Sequence, residues 1–320
     1  MSVTASASPS LALIKYWGKL ADGVNLPATP SLAITLDSLR TVTRVASSPN
    51  GATRDEITVA GALQPPDRFE AFIDRFRARA GSTRRVTVAS ESTFPTAAGL
   101  ASSSSGFAAL ALGLDAFFGT GMTSHELSAV ARTGSGSASR AVYGGFTVWR
   151  AGAEYAEPLA APDHWPDLRV LVVVLSADTK PISSRAAMAR TVETSPIYRR
   201  WCEASQGIFE RGVEALLRRD IDELGAAMRE SYLFMFSTMF TARPPVIYWL
   251  PESIALLHEA EHLRRDGIPV FETMDAGPQV KLVTTADYVE EVLRRVGAVA
   301  PRAGVIVSAA GGSPEVHDGR

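Results

Sequence analysis

The 320-residue chain holds one cysteine, Cys202, two asparagines and, among 32 basic residues, four lysines: Lys15, Lys19, Lys180 and Lys281. A single cysteine excludes an internal disulfide and points to a reducing compartment, the cytoplasm. No run of 18 apolar residues occurs, and Met1 to Ala12 lacks the basic start and apolar run of a signal peptide, so neither a membrane span nor an export signal is expected. A formal net charge of −2 offers no global attraction to nucleic acid or to an anionic membrane, so any phosphate binding must come from a local site. What is present, 46% hydrophobic and 21% charged residues, is the composition of a folded globular protein with room for one large domain or two ordinary ones.

The scarcity of lysine is itself informative. Where only surface charge is needed, arginine and lysine substitute for one another, but a compact ammonium meeting a phosphate oxygen or a carboxylate is not replaceable by a planar guanidinium. The four surviving lysines are therefore candidate functional residues.

Along the chain, "SLAITL", "TVTRVAS", "EITVAG" and "RVTVASES" alternate as strands and are expected to form a meander. From Ser103, Phe107, Leu110, Ala111, Leu114 and Phe117 recur at helical spacing, and Gly119 and Gly121 end that helix. A second helix begins at "SHELSAVARTG", a small-residue segment follows, and "GGFTVW" reads as a strand. The turn-rich "HWPDLR" precedes the apolar strand "VLVVVL" and marks a domain boundary. Beyond it, helices are predicted at Tyr198 to Arg218, Ile221 to Met235 and Ile254 to Arg265, and strands at "VFETMDAG", "KLVTT" and "GVIVSAA". The pattern is that of an α+β protein. The tail "GGSPEVHDGR" is expected to fray.

"PTAAGLASSSSGFAAL" places four serines at the mouth of the first long helix. A helix start exposes unpaired amides and carries partial positive charge, and small side chains let an anion reach the backbone. The stretch is no Walker A loop, since no Gly-Lys-Ser/Thr closes it; a phosphate cradle and a serine-capped core helix are the two readings. "HEAEH", His258 to His262, satisfies the zinc-protease pattern H-E-x-x-H. Yet Leu256, Ala260 and Leu263 mark the buried stripe of that helix and leave both histidines on its polar side, with no further histidine in "LRRDGIPV".

"SLALIKYWGK", "FPTAAGLASSSSGFAAL", "GSGSASRAVYGGF" and "TMDAGPQVK" together resemble the signature blocks of the mevalonate diphosphate decarboxylase family, within the superfamily of galactokinase, homoserine kinase, mevalonate kinase and phosphomevalonate kinase. The resemblance implies a two-domain GHMP-kinase-like α+β fold. A ribosomal-protein-S5-like domain (1–166) would hold the ATP phosphates, a ferredoxin-like α/β sandwich (167–320) would follow, and the active site would lie in the cleft between them. It also implies ATP and Mg²⁺, a phosphorylated mevalonate as substrate, and a homodimer, with no nucleic-acid or membrane partner.

Carried over by motif, Asp275 would orient and deprotonate the substrate's 3-hydroxyl, Arg140 would grip its carboxylate, and Lys15 would lie near that carboxylate or Asp275. Tyr16, Trp17, Lys19, Ser135, Ser137, Lys180, Arg185 and Met188 match substrate-binding positions. Ala98, Gly99, Leu100, Ala101, Ser102, Ser103, Ser104 and Ser105 match the ATP cradle, with Ser102 and Ser103 as the direct contacts. Lys281 receives no role, and no metal ligand is named. Two positions depart from the family: Ser10 stands where an asparagine helps hold substrate, and Gln279 replaces an asparagine after "DAGP". Retention of Lys19, Lys180 and Arg185 suits a diphosphate, so the resemblance implies ATP-dependent decarboxylation of mevalonate 5-diphosphate to isopentenyl diphosphate; replacing the first amide by one hydroxyl makes the monophosphate the alternative, and a 3-kinase without elimination is a further one.

Overall fold

The computed structural model describes residues 2–20, 25–94, 102–176, 178 and 180–319. Small and β-branched runs make strands β1 (Ser2–Ala7), β2 (Ser10–Ile14), β3 (Ser31–Thr35), β4 (Thr41–Ser47), β5 (Glu56–Val59) and β6 (Ala62–Leu63). Helix α1 (Asp67–Arg79) and strand β7 (Val86–Ser92) follow, then α2 (Ser102–Phe118), α3 (Ser124–Gly134), β8 (Phe146–Trp149), β9 (Glu157–Ala160) and β10 (Leu168–Val174). The second half continues with α4 (Ser184–Thr194), α5 (Tyr198–Arg218), α6 (Ile221–Phe240), α7 (Pro251–Arg265), β11 (Phe271–Met274), β12 (Val280–Thr285), α8 (Val289–Val299), β13 (Gly304–Ser308) and β14 (Glu315–Gly319).

Three sheets result, ordered β14-β1-β4-β7-β5-β6, β2-β3-β8-β9 and β11-β12-β10-β13. In β4, Thr41, Thr43 and Val45 point inward and Val42 and Arg44 outward, the period of a strand with one wet face. β10 has no such alternation because both of its faces are covered. Leu168, Val170 and Val172 enter the core shared with β2, β3, β8 and α5, while Leu171 and Val173 enter the core of α4 to α8. The first of these cores contains residues from both halves of the chain, so the halves are packed together rather than merely tethered.

Helix ends follow local chemistry. α2 stops before Gly119, whose φ of 64° is left-handed. α3 starts in a capping box between Thr123 and Glu126, and α6 starts with the Asp220 carboxylate accepting the Glu223 N–H at 3.1 Å. α6 lies close on β11 because residue 225 is glycine: a Cβ there would sit 2.0 Å from the Phe271 ring.

Two expectations require correction. The four predicted strands do not form a meander: β3 belongs to the second sheet, and β5 pairs with β7 in parallel, across the connection that carries α1. The C-terminal tail does not fray either. Residues 315–319 pair antiparallel with β1, from Ser6 opposite Glu315 to Ser2 opposite Gly319, so backbone pairing outweighs the disorder suggested by Gly-Gly-Ser-Pro.

Candidate active site

A cavity of about 560 Å³ opens where first-half residues of 10–19, Asn25, 102–103 and 134–140 face the second-half segments 180–188 and 275–276. β2 shifts register against β3 between Ala12 and Ile14, and beyond this irregularity the chain turns toward α6. There the Lys15 N–H donates to Ser231 Oγ at 2.8 Å, which fastens the segment to the second half. Lys15 Nζ donates to the Ala12 carbonyl and to Asp275 Oδ1, both at 2.8 Å. Lys281 Nζ lies 3.2 Å from the other oxygen, Oδ2. Asp275 itself directly follows β11, in a tight turn where the Gly277 N–H donates to its carbonyl at 2.7 Å.

Arg140 follows the 3₁₀ turn Gly136–Ser139 and is 2% exposed. Its Nε donates to Ser10 Oγ at 3.3 Å and its Nη1 to Ser31 Oγ at 2.7 Å, and among the described residues it makes no ion pair with a carboxylate. Leaving a guanidinium buried with only hydroxyl acceptors is unfavourable unless an anion arrives. Burial lowers its pKa to about 10, partly offset by the longer-range charge of Asp275. Burial likewise lowers Lys15 to about 8, against the opposing pull of Asp275. For Asp275, burial pushes upward, but the Lys15 and Lys281 ammoniums outweigh it and hold the carboxyl well below the usual carboxylate range.

Every described residue assigned to substrate or catalysis by motif lines this cavity: Ser10, Lys15, Tyr16, Trp17, Lys19, Ser135, Ser137, Arg140, Lys180, Arg185, Met188 and Asp275. Trp17 is largely core, since its indole N–H is committed to Thr191 Oγ1 at 2.8 Å and its carbonyl accepts from Trp201 Nε1 at 2.9 Å. Tyr16 stacks obliquely on Trp149, with 4.9 Å between ring centroids, and its buried hydroxyl has no partner among the described residues. Position 136 must be glycine for that hydroxyl to fit, because a Cβ would come within 2.6 Å of it. Lys180 Nζ donates to Ser184 Oγ at 3.0 Å and to the Ala276 carbonyl at 2.9 Å. Arg185, in the first turn of α4, reaches across the cleft to the Gly134 carbonyl at 3.3 Å.

The serine run divides. Ser102 and Ser103 face the cavity, and Ser103 Oγ is 3.1 Å from Ser135 Oγ, which is 3.4 Å from Ser137 Oγ, so hydroxyls link the start of α2 to the end of α3. Ser104 and Ser105 are buried, turned away by the helical rotation: Ser104 Oγ accepts from the Ser10 N–H at 3.4 Å, and Ser105 Oγ is 2.7 Å from Thr41 Oγ1. The side chains of these two pack against β2 and β4 and do not face the cavity. Ala98, Gly99, Leu100 and Ala101 lie outside the described residues.

The motifs passed over two contributors. Lys281 holds Asp275, and lysine scarcity alone had marked it. Asn25, one of only two asparagines, donates to the Arg132 and Thr133 carbonyls at 2.8 and 3.2 Å and so sets where α3 ends and Ser135 begins. Gln279 explains itself as scaffold: its amide accepts from the Leu175 N–H at 2.6 Å and donates to the Ser176 carbonyl, tying the hairpin after Asp275 to the segment that leads to Lys180.

No group of three or more His, Cys, Asp or Glu suited to a metal occurs among the described residues. On α7, His258 and His262 are exposed while Leu256, Ala260 and Leu263 are buried, so "HEAEH" is a solvated helix face. Among the described residues no helix is long and apolar enough to cross a membrane.

Residues 7–160 match the family model for a diphosphomevalonate decarboxylase-like N-terminal domain, and residues 170–316 match that for the mevalonate 5-diphosphate decarboxylase C-terminal domain. The diphosphomevalonate decarboxylase of Bos taurus is 36% identical over 92% of this chain and 79% of its own length. A solved structure of MDDEF in complex with MVAPP, AMPPCP and magnesium superposes with a TM-score of 0.93 at 34% identity, covering 100% of this chain and 99% of that one. The mevalonate diphosphate decarboxylase from Staphylococcus aureus gives 0.92 at 31% identity, covering 99% and 98%.

Proposed function

This chain belongs to the mevalonate diphosphate decarboxylase family, and from that premise we propose the following reading of its cavity. The enzyme decarboxylates mevalonate 5-diphosphate to isopentenyl diphosphate at the expense of ATP, releasing ADP, phosphate and carbon dioxide. The observation that carries this reading is a buried Arg140 without an acidic partner, in the same cavity as a carboxylate held charged by two lysines. Among the described residues, Lys15, Lys19, Arg140, Lys180 and Arg185 face one carboxylate there, so this lining is strongly positive in a protein of net charge −2 and suits a substrate bearing both a carboxylate and a diphosphate.

A β-hydroxy acid has no adjacent carbonyl to take the electrons released with carbon dioxide, so its tertiary hydroxyl must first become a leaving group. Asp275 accepts the hydrogen bond of that hydroxyl and aims its oxygen at the γ-phosphorus. Because two ammoniums hold Asp275 ionised, it is a weak base, and this is adequate: a loose phosphoryl-transfer transition state needs the nucleophile oriented first and its proton removed late. When phosphate leaves with the C–O bonding pair, positive charge develops on the tertiary carbon. The C–C pair of the departing carboxylate then closes the alkene, while Arg140 holds that carboxylate in line.

Ser102 and Ser103, at the positive end of α2, would receive the ATP phosphates. A second cavity of about 310 Å³ shares these two serines and continues between apolar Ile57, Val59, Phe69 and Phe107 and polar Thr41, Thr43, Gln64, Ser90 and Ser92, a mixed lining that would suit a nucleoside. The donor set fits Mg²⁺ carried in on the nucleotide, with serine hydroxyls, phosphate and water as its ligands, and the ion would supply neutralisation of phosphate charge. The division into 1–166 and 167–320 is part of the proposal, and strand 315–319 of the second part returns to pair with β1 of the first. A homodimer in the cytoplasm completes the proposal, the first resting on family likeness and the second on the single cysteine.

The deciding experiment is carbon dioxide release from carboxyl-labelled substrate. Gas evolution with mevalonate 5-diphosphate that requires ATP and magnesium supports the reading. Release without nucleotide, faster turnover of the monophosphate, or ADP formation without gas would each overturn it.

A further inference from the structure

Asp275 is contacted from two sides by residues of different standing. Lys15 lines the large cavity; Lys281 does not. It rises from β12, where its backbone lies opposite Thr273 of β11 and Val172 of β10, and its side chain is 2% exposed. The space around it is a void of about 10 Å³ walled by Pro9, Leu11, Leu36, Leu39 and Val172, apolar except for Asp275 itself. Besides Oδ2 of Asp275, its ammonium has among the described residues the Gln279 carbonyl alone, at a weak 3.4 Å. A lysine in so apolar a setting is expensive unless its one counter-charge stays in place.

We propose that Lys281 is a positioning residue for the reaction: from behind the hairpin it fixes Oδ2 and the charge of Asp275, leaving Oδ1 and Lys15 to face the substrate. The division follows from access. Lys15 can exchange its contact with Asp275 for the incoming carboxylate or phosphate, because it lies in the cavity. Lys281 cannot reach either, so its hold on the aspartate is the same with and without substrate. Without it, each time Lys15 turned to the substrate, Asp275 would be a half-buried carboxylate with no direct cation and would take up a proton more readily, and a protonated acid is a poor acceptor for the 3-hydroxyl's hydrogen bond. The charged groups around Asp275 are Lys15 from the segment after β2, Lys281 from β12, Arg140 from the turn after α3 and Lys180 from the segment before α4; α6 contributes only Ser231 and Met235.

This deepens the decarboxylase reading for its role in turnover, whereas the control of Asp275 ionisation stands on the geometry alone. The test therefore has two readouts. Infrared titration finds the protonated-carboxyl band of Asp275 by its loss in Asp275→Asn and needs no turnover. In Lys281→Met and in Lys281→Gln, which keeps a polar head without charge, that band is expected at a pH higher by about 1–3 units, the usual effect of losing one close cation. In steady-state kinetics the acid limb of kcat is expected to move upward in the same sense, with kcat lowered about 10-fold or more and KM for ATP and substrate nearly unchanged. A band and acid limb at the wild-type position in either folded variant overturns the proposal. Should neither variant fold, ¹⁵N-lysine labelling of folded protein offers four side-chain resonances. The Lys281 resonance must shift in Asp275→Asn, and a resonance that stays still overturns the proposal as surely. Absence of wild-type gas release would defeat the decarboxylase reading and leave the infrared result to decide this one.

Discussion

Glu272 and Asp275 sit at the two ends of one short stretch, inside β11 and just past it, and both carboxylates are held by cations, yet they are held differently. Glu272 Oε1 accepts from Arg229 Nε at 2.8 Å and from the Tyr232 hydroxyl at 3.1 Å, and Oε2 accepts from Arg264 Nη1 at 2.7 Å. Asp55, in the first half, is similar: Arg77 Nη2 bridges both of its oxygens at 2.7 and 2.6 Å and the Val86 N–H adds a bond at 2.8 Å. Forked donors occupy the edges of these carboxylates and tie helices to strands. Asp275 instead meets two lysines, one per oxygen, with its remaining edge open to a cavity of about 560 Å³. Point charges stabilise an anion without enclosing it. All four lysines lie at the cavity or beside Asp275, whereas arginine ties helices to strands and also, as Arg140 and Arg185, lines the cavity.

The contrast breaks most visibly at the two carboxylates themselves. Asp275→Asn should lower kcat by about 10²–10⁴-fold, the weight of a positioned proton acceptor, with little change in thermal midpoint. Single-turnover ATP cleavage on folded protein checks this, and activity near wild type would return Asp275 to the ranks of ordinary turn residues. Glu272→Gln should do the reverse. Leaving Arg229 and Arg264 with Glu261 as their acidic partner beside a neutral amide should cost about 1–3 kcal/mol in denaturant unfolding, while turnover per folded molecule stays close to wild type. A stable variant with collapsed turnover would erase the distinction between the two sites. Arg140, one of two guanidiniums among the described residues that line the cavity, tests the contrast from the other side. Arg140→Lys keeps the charge but loses the fork that Ser10 and Ser31 are placed to support, so kcat/KM should fall by about 10–100-fold, chiefly through KM. Unchanged kinetics would make that arginine structural.

Much of this was legible in the chain because local and global signals agree. α5 occupies Tyr198–Arg218 as its spacing of Trp201, Ile208, Phe209 and Leu216 predicts, and β10 reads as an unbroken apolar run because two cores claim it. Less legible were features decided by partners distant in sequence. β14 is polar and begins after Gly-Gly-Ser-Pro, and only the free edge of β1 makes it a strand. α4 buries just Ala187, Met188 and Thr191, too little to announce a helix, although it carries Arg185. Within the site, four serines in a row look alike, and the turn of α2 gives Ser102 and Ser103 to the cavity and Ser104 and Ser105 to the sheet. Lys281 was marked by composition but had no role until the hairpin pairing of Met274 with Val280 brought it behind Asp275.

The smallest effect, and the one that most sharpens the comparison, concerns pH. An arginine-held carboxylate has partners that stay charged throughout the working range, but burial brings Lys15 down to about 8. Below that pH the ammonium donates to Oδ1; above it the donor becomes a neutral amine. kcat/KM, which reports the free enzyme, should therefore fall about tenfold per unit above pH ~8. The limb in kcat should lie higher, since a bound polyanion favours the charged lysine. Stability should move the opposite way. Between about 8 and the ordinary lysine value of 10.5 the unfolded chain binds the proton that folded Lys15 has released, so this group adds to unfolding free energy as pH rises through that window. Lys15→Arg should remove both trends together, flattening the alkaline limb and the matching rise in stability while lowering the plateau, because a fork would close the edge of Asp275 that the substrate needs. A limb that persists in Lys15→Arg would assign the titration to another group and leave lysine and arginine equivalent beside this carboxylate.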